Sequence, residues 1–335
     1  SYNSVISACA RKSKWEKAVE LLQEMETRRI KPDVITYNAV MTACEKASQW
    51  KKALQILREM ESRRLRPALI SYSAVISACE KSSKWETALE LFREMQTRGI
   101  IPDLIVYSAA ISACEKGAKW EKALELFREA EKQGISHSVI SYSAVISACE
   151  KGSQWEKAVE LLREMENRGI KPSVISYSAA INACFHASRY AVSLQLMRES
   201  KTRGLHPRSE EGTKCDLHNY PLSAACMFVT DALITRALSG SFDHVCIVTG
   251  KGLRSGDVGP VLQSEVPRFL EERLGIKTTP DPENTRRVLV QQSALRQFAR
   301  LLDSGNLQSI FIDKFHDEWS QGDLDKIETI FKPST

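Results

Sequence analysis

The chain has 335 residues, with 47 Lys and Arg against 42 Asp and Glu, and its net charge is +5. No apolar run approaches the roughly 18 residues that a membrane-spanning helix needs, so we expect no membrane segment. Nine cysteines without a C-x-x-C pair exclude a zinc-finger pattern and an even disulfide framework, which favours a reducing compartment.

Tyrosine, cysteine and tryptophan each recur at a fixed step of 35 residues. A period of this length is typical of stacked helical repeats, in which each unit buries its apolar face against the next. We therefore interpret residues 1–208 as six repeats, and because the chain opens inside a repeat we expect a fragment of a longer protein. The repeated positions are Tyr2, Tyr37, Tyr72, Tyr107, Tyr142 and Tyr177; Cys9, Cys44, Cys79, Cys114, Cys149 and Cys184; and Trp15, Trp50, Trp85, Trp120 and Trp155, with Tyr190 in the sixth place.

Each repeat is predicted to form two short antiparallel helices. In the second repeat, Tyr37, Val40 and Cys44 lie at helical spacing, and a second amphipathic run begins at Trp50. Because tryptophan in an amphipathic helix is usually core, we expect the Trp series to be buried, and the cysteines to pack as small apolar residues.

The ends of the second helices are marked by residues with known capping roles. Serine with glutamate three residues later predicts capping boxes at Ser13, Ser83 and Ser153. Glycine stands where the second helix ends at Gly99, Gly134, Gly169 and Gly204, with Arg29 and Arg64 in the first two repeats. Proline follows three residues later at Pro32, Pro67, Pro102, Pro172 and Pro207, and His137 breaks that series.

These repeats resemble the pentatricopeptide repeat. The resemblance rests on the run Tyr37-Asn38-Ala39-Val40-Met41-Thr42-Ala43-Cys44 and on its recurrence at Tyr142 to Cys149, each followed by Ala, Met and, in the link, Pro. It covers about residues 1 to 208 and implies single-stranded RNA binding with one base per repeat. The tetratricopeptide repeat, which binds peptides, is the nearest rival, with a different period and different anchor residues.

The resemblance also implies which residues contact the bases. In the family, the residue after the repeat tyrosine and the last residue of the repeat read the base edge together. Asn3/Asp33 then suggests U and Ser73/Asp103 suggests G, because a carboxylate accepts a hydrogen bond from a ring N–H. The other four pairs depart from the usual combinations: Asn38/Ala68, Ser108/Ser138, Ser143/Ser173 and Ser178/Arg208.

An isoleucine two residues before each repeat tyrosine has two interpretations. The resemblance implies that it wedges between neighbouring bases, whereas its place at a helix start is also compatible with simple packing. The series is Ile35, Ile70, Ile105, Ile140 and Ile175. Residues 1–208 hold 33 basic and 24 acidic residues, and the remainder holds 14 basic and 18 acidic, so the positive charge lies where a phosphate backbone would run.

Beyond residue 208 the period stops, and strands alternate with helices. We predict helices over 222–238 and 261–274 and strands over 244–248 and 287–290, which indicates a small α/β layer. Asp216-Leu217-His218, followed some thirty residues later by Thr249-Gly250-Lys251-Gly252, resembles the small MutS-related (Smr) domain, with Cys215 and Asn219 as departures from its motif. We place this domain at 209–291 and a helical extension at 292–335.

The Smr resemblance implies nucleic-acid binding and, in some members, endonuclease cleavage. Alternation along a strand puts Asp216 and His218 on one face, where a carboxylate and an imidazole could activate a nucleophile or hold a divalent metal such as Mg²⁺. Thr249, Gly250, Lys251 and Gly252 would approach a phosphate through backbone N–H groups and one cation. The alternative is that Asp216 and His218 only brace the glycine loop and the domain grips nucleic acid without cutting it.

The sequence therefore predicts a mainly α protein, an α-solenoid followed by a small α/β domain. The resemblance to the two families implies that it acts in organellar RNA processing in a chloroplast or mitochondrion. We expect a monomer whose partner is single-stranded RNA, with no small-molecule substrate and no certain cofactor. Two alternatives stay open, a non-catalytic RNA-binding scaffold and a peptide-binding helical adaptor.

Overall fold

The computed structural model describes residues 2–205, 210–211, 214–217, 220–249, 261–284 and 286–303. The chain divides into two compact units, Ser1–Lys171 and Pro172–Thr335. The sixth predicted repeat thus groups with the C-terminal part, and the boundary that the period places after residue 208 stays a prediction.

Ten helices build the described part of the first unit, two for each repeat. The first helix of each repeat packs on the first helix of the next, and each second helix packs beside both. The bounds are α1 Tyr2–Arg11, α2 Trp15–Thr27, α3 Val34–Lys46, α4 Trp50–Ser62, α5 Leu69–Lys81, α6 Trp85–Thr97, α7 Leu104–Lys116, α8 Trp120–Lys132, α9 Val139–Lys151 and α10 Trp155–Asn167.

The repeat core is made of the tyrosines and cysteines. Tyr37, Tyr72, Tyr107 and Tyr142 are fully buried, as are the cysteines that follow each of them by seven residues. Burial raises the pKa of Cys44 to about 11, so its thiol is un-ionised at neutral pH and packs as predicted. None of the nine cysteines, all of which lie in the described part of the chain, forms a disulfide bond.

The tryptophans are not core residues, so that prediction is wrong. Every Trp of the series from Trp15 to Trp155 is only half-buried. A methyl group added at Gly117 would lie 2.3 Å from the Trp85 ring, because that ring covers the turn between the two helices of the next repeat. Lys122 completes the contact with its ammonium 4.7 Å from the ring centroid. Tryptophan therefore seals an exposed seam between repeats.

The predicted capping boxes at Ser13, Ser83 and Ser153 are also wrong. These serines have left-handed backbones, with φ of +54° to +57°, and each helix begins two residues later without a side-chain cap. A left-handed residue turns the chain sharply between two antiparallel helices, and that role excludes the extended N-cap geometry. The glycine caps are confirmed, with φ near +70° at Gly99, Gly134, Gly169 and Gly204.

The second unit contains the sixth repeat and a mixed five-stranded sheet. Its helices are α11 Val174–His186, α12 Tyr190–Thr202, α13 Leu222–Ser239, α14 Val261–Leu274 and α15 Gln292–Asp303. Its strands are β1 Glu210–Glu211, β2 Lys214–Asp216, β3 Val245–Val248, β4 Thr278–Pro280 and β5 Arg287–Val290. The strand order is β1-β2-β3-β5-β4, in which only β2 and β3 pair in parallel. This confirms the α/β layer that the sequence predicts.

Helix α13 packs against both helices of the sixth repeat, α11 and α12. In the first unit the first helix of a following repeat packs in the same way, so α13 covers the surface that another repeat would otherwise cover. By length and apolarity α13 could span a membrane, contrary to our expectation of no such run, but 72% of it is buried in the fold. Its composition therefore fits a core helix in contact with structure on several sides.

The contact between α13 and α12 is fixed by one buried carboxylate. Asp231 is 6% exposed and accepts hydrogen bonds from Arg198 Nε at 2.6 Å and Lys201 Nζ at 2.8 Å. At the other end of α13, the Ser223 hydroxyl donates to the side-chain oxygen of Asn182. Residues 304–335 of the predicted helical extension lie outside the described residues.

Candidate nucleic-acid interface

The last residue of a repeat, predicted to contact a base, occupies the N-cap position of the next repeat's first helix, and its side chain caps that helix at Asp33, Asp103, Ser138 and Ser173 but not at Ala68. Asp33 Oδ1 accepts from the backbone N–H of Thr36 at 2.8 Å, and Asp103 Oδ1 accepts from that of Val106 at 2.9 Å. Ser138 caps α9, and Ser173 caps α11 in the second unit. The cap fixes the orientation of the side chain. In each Asp it uses Oδ1, so Oδ2 makes no hydrogen bond to the helix backbone.

The first pair, Asn3 and Asp33, is brought together as predicted. Asn3 Nδ2 donates to Asp33 Oδ1 at 3.3 Å, and the Thr36 hydroxyl lies 2.7 Å from Asn3 Oδ1. The hydrogen bond from the Thr36 backbone lowers the pKa of Asp33, so its exposed carboxylate is ionised near neutral pH. The pair thus presents an acceptor of the kind that a ring N–H requires.

The second pair is oriented by a residue that the sequence did not single out. Ser71 Oγ accepts from the Ala68 backbone N–H at 3.1 Å and donates its proton to Asn38 Oδ1 at 2.7 Å. The Asn38 amide group therefore directs its N–H₂ away from Ser71, while exposed Ala68 adds no side-chain hydrogen bond. A Ser or Thr three residues after the cap is the signal that would have found this contact.

The remaining pairs differ in what supports them. The residue opposite Ser73 in the next repeat is Val106, which has no hydroxyl, whereas Ser108 Oγ lies 3.4 Å from Ser141 Oγ. Ser143 is only 7% exposed, Ser178 is half-buried, and Arg208 lies outside the described residues.

The five isoleucines beside these pairs are solvent-exposed. Their exposed fractions fall between 62% and 67%, so the structure does not support the interpretation that they are packing residues at a helix start. Each follows the cap residue by two positions and stands next to the predicted base contact. The residues are Ile35, Ile70, Ile105, Ile140 and Ile175.

A repeated polar network holds adjacent repeats in register beneath this surface. The Tyr72 hydroxyl donates to Glu94 at 2.8 Å, and Arg58 of the preceding repeat binds both oxygens of the same carboxylate at 2.8 and 2.7 Å. The bidentate contact with Arg58 lowers the pKa of Glu94. Equivalent contacts join Tyr107, Glu129 and Arg93, and also Tyr142, Glu164 and Arg128.

The described residues of the two predicted Smr motifs lie at the ends of the neighbouring strands β2 and β3. Asp216 ends β2 opposite Val248, the last residue of the parallel strand β3. Thr249 follows at once, is 3% exposed, and donates through its hydroxyl to the Arg286 carbonyl at 3.1 Å. His218, Gly250, Lys251 and Gly252 lie outside the described residues. Cys215 is fully buried, so it fills the packing role of the family's apolar residue.

Asp216 is the candidate metal ligand that the structure describes at this edge. Among the described residues, no three His, Cys, Asp or Glu side chains come together as a metal site would require. The metal stays an expectation that depends on His218 and on the residues beyond Thr249.

Comparison with known families agrees with this geometry. Models of the pentatricopeptide repeat match residues 1–47, 20–82, 67–116, 105–135 and 137–186, and a model of the Smr domain matches residues 215–286. This chain is a pentatricopeptide repeat protein with a C-terminal Smr domain. The Smr match contains Asp216 and the loop after Thr249, and it begins at Cys215.

Solved structures with a similar backbone are also pentatricopeptide repeat proteins. One is the pentatricopeptide repeat protein PPR10 from maize, 17% identical, with a TM-score of 0.45 and 98% of this chain covered. PPR10 in complex with an 18-nt psaJ RNA element gives 17% identity, a TM-score of 0.44 and the same 98% coverage. The PPR domain of Arabidopsis thaliana protein-only RNase P 1 in complex with tRNA is 13% identical, with a TM-score of 0.45 and 50% of this chain covered.

The pentatricopeptide repeat protein described here spans less than half of the maize protein, 43% and 45% of the two chains, and 88% of the Arabidopsis domain. A comparison with curated protein sequences gives no match.

Proposed function

We propose that the repeat array binds single-stranded RNA sequence-specifically and that the Smr domain clamps or cleaves RNA next to the bound site. The observation that carries the proposal is a constellation that recurs at the start of the first helices from α3 onward. An exposed isoleucine recurs every 35 residues, and a side-chain helix cap from the predicted base-contacting residue stands beside it at α3, α7, α9 and α11. A base could stack on the isoleucine while its edge contacts the pair.

The chemistry of two pairs supports a base assignment. Asp33 and Asp103 each hold one oxygen in the helix cap, which leaves the other to accept a hydrogen bond from a ring N–H. Uracil N3–H and guanine N1–H are such donors, and Asn3 and Ser73 distinguish the smaller from the larger base. We therefore propose U at the first repeat and G at the third.

The second pair offers a donor and no acceptor. Because Ser71 engages the Asn38 oxygen, the amide N–H₂ is the group available to a base, and Ala68 adds nothing to the edge contact. We propose that the Asn38 amide donates to one acceptor atom of the base, and that this repeat discriminates between bases less than its neighbours do. Ser108/Ser138, Ser143/Ser173 and Ser178/Arg208 are proposed as contacts without a base assignment.

For the Smr domain we propose Asp216 and His218 as the candidate catalytic residues and the loop from Thr249 to Gly252 as the phosphate contact. The parallel pairing of β2 and β3 supports this, because it brings the strand ends that carry both motifs to one sheet edge. A divalent metal would be held there if the domain cleaves. Processing of organellar transcripts is proposed from the family resemblance, and a non-catalytic scaffold is the outcome if no cleavage occurs.

A salt titration of RNA affinity tests the binding proposal. Phosphate contacts to single-stranded RNA release counterions, so the logarithm of the binding constant should fall linearly with the logarithm of salt concentration, by about 0.7 per contact. The probe is a random single-stranded RNA pool, with the same pool made double-stranded as the control. Failure to bind the single-stranded pool would refute the proposal and favour a peptide-binding adaptor.

A further inference from the structure

Two inter-repeat links carry arginine where the backbone favours glycine. Gly99, Gly134 and Gly169 end their helices with φ near +73°, and Arg29 and Arg64 adopt the same geometry at +59° and +61°. The turn is set by the backbone, since Ile30 N–H donates to the Met25 carbonyl at 2.8 Å. Side chains with a Cβ are strained there, so glycine is the more stable residue and the arginines call for another explanation.

A second cation follows each strained arginine by two residues. These are Lys31 and Arg66, whereas the third and fourth links have Ile101 and Ser136 in that place and the fifth has Lys171 after a glycine, Gly169. Arg29, Lys31, Arg64 and Arg66 are all exposed. Within the described residues, none of the four forms a side-chain ion pair or hydrogen bond.

The neighbouring arginines show that acidic partners are within reach of these links. Arg28 pairs with Glu24 at 2.6 Å, and Arg63 pairs with Glu26 and Glu59. The network between second helices likewise neutralises Arg58, Arg93 and Arg128. Within the described residues, these four cations therefore lack the acidic partners that the adjacent Arg28 and Arg63 have.

The links lead directly to the proposed base contacts. Lys31 and Arg66 precede Asp33 and Ala68 by two residues, which span at most about 7 Å of chain. We infer that the links 28–33 and 63–68 form a phosphate-binding strip, in which Arg29, Lys31, Arg64 and Arg66 contact the RNA backbone beside the bases of the first two repeats. The inference rests on the proposed function. It adds that phosphate contacts from the links are concentrated in the first two, since the third and fourth links lack both cations and the fifth has only Lys171.

The test compares three variants of the full chain. Arg29→Gly/Arg64→Gly should reduce the magnitude of the log–log salt slope for single-stranded RNA by about 1.4, at about 0.7 for each lost contact. It should also melt a few degrees higher, because glycine relieves the backbone strain. Lys31→Gln/Arg66→Gln should reduce the slope equally without the gain in melting temperature.

Arg28→Gln/Arg63→Gln is the matched control, because it removes the same charge from the same links at paired positions. Its salt slope should stay close to that of the wild type. A wild-type slope in both test variants would overturn the inference and leave RNA binding intact. Absence of RNA binding by the wild type would instead refute the proposed function.

Discussion

The two units differ in how often each contact is made. In the first unit the Tyr–Glu–Arg network and the helix cap recur from repeat to repeat, so each copy carries a fraction of the total. In the second unit the closing contact at Asp231 and the motif residue Asp216 occur once. A single substitution should therefore cause a small loss of stability or binding in the first unit and a large loss of stability or activity in the second.

Arg198 belongs to the repeated arginine series but makes the contact with Asp231 that occurs once. It stands at the repeat position of Arg58, Arg93 and Arg128, whose partner in the first unit is a glutamate on the next second helix. Its partner in the second unit is Asp231 on α13, a helix outside the period. A periodic array can thus be closed by an aperiodic helix that keeps one arginine contact and replaces the acceptor.

The largest expected effect falls on a residue that occurs once. If the Smr domain cleaves RNA, Asp216→Asn and His218→Ala should each slow cleavage by about 100-fold or more, because each removes a group proposed for proton transfer or metal binding. Affinity for the target should stay nearly intact, since base selection is proposed for the array. The assay is cleavage of end-labelled RNA with and without divalent metal.

The same assay separates the alternatives. No cleavage by the wild type on a bound target would support the scaffold. Cleavage by Asp216→Asn at the wild-type rate would place the chemistry elsewhere.

Asp231→Ala tests the single closing contact. Two charge-assisted hydrogen bonds are lost from a buried site, and we expect the free energy of unfolding of the second unit to fall by about 2–3 kcal/mol. Urea unfolding of the full chain at pH 7 measures it. Asp243→Ala, on an exposed residue that follows α13, is the control and should have little effect. Equal stability of both variants would show that the contact is dispensable.

Glu94→Gln tests one copy of the repeated network and should have the smaller effect on stability, about 1–2 kcal/mol, because Tyr72 and Arg58 keep a neutral acceptor. The pKa of Glu94 is lowered in the fold, so its contribution is complete above the unfolded value of 4.5 and is lost as the pH falls below it. Thermal unfolding between pH 3 and 7 should show a weaker acid dependence for Glu94→Gln than for the exposed control Glu90→Gln. Identical acid profiles would contradict the role of the network.

Much of the fold follows from the period, because a repeated contact leaves a repeated residue. The helices, the buried tyrosines and cysteines and the glycine caps were predictable for this reason. The capping boxes at Ser13, Ser83 and Ser153 were mispredicted because serine suits both an N-cap and a left-handed turn. The tryptophans were misplaced because an aromatic ring can cover a neighbouring turn as well as fill a core.

Contacts made once leave no such signal. Nothing in the sequence around Asp231 identifies it as the partner of Arg198, since the two residues are joined only by the packing of α13 on α12. The Ser71 contact with Asn38 was missed for a related reason, because a serine at that position has an equally ordinary role in the helix cap. The pairing of Asn3 with Asp33 came from the resemblance, and the structure brings those two side chains together.

We propose that a repeat selects one base through the pair of residues at the start of its first helix and at its end. The most direct test is RNA selection from a random pool by the wild type and by Asp103→Asn, which keeps the helix cap because asparagine caps as well as aspartate. The preferred base in that register should change from G toward A, with a discrimination of about 1–3 kcal/mol, and every other register should stay the same. An unchanged base in that register, or a change spread over several registers, would contradict the account.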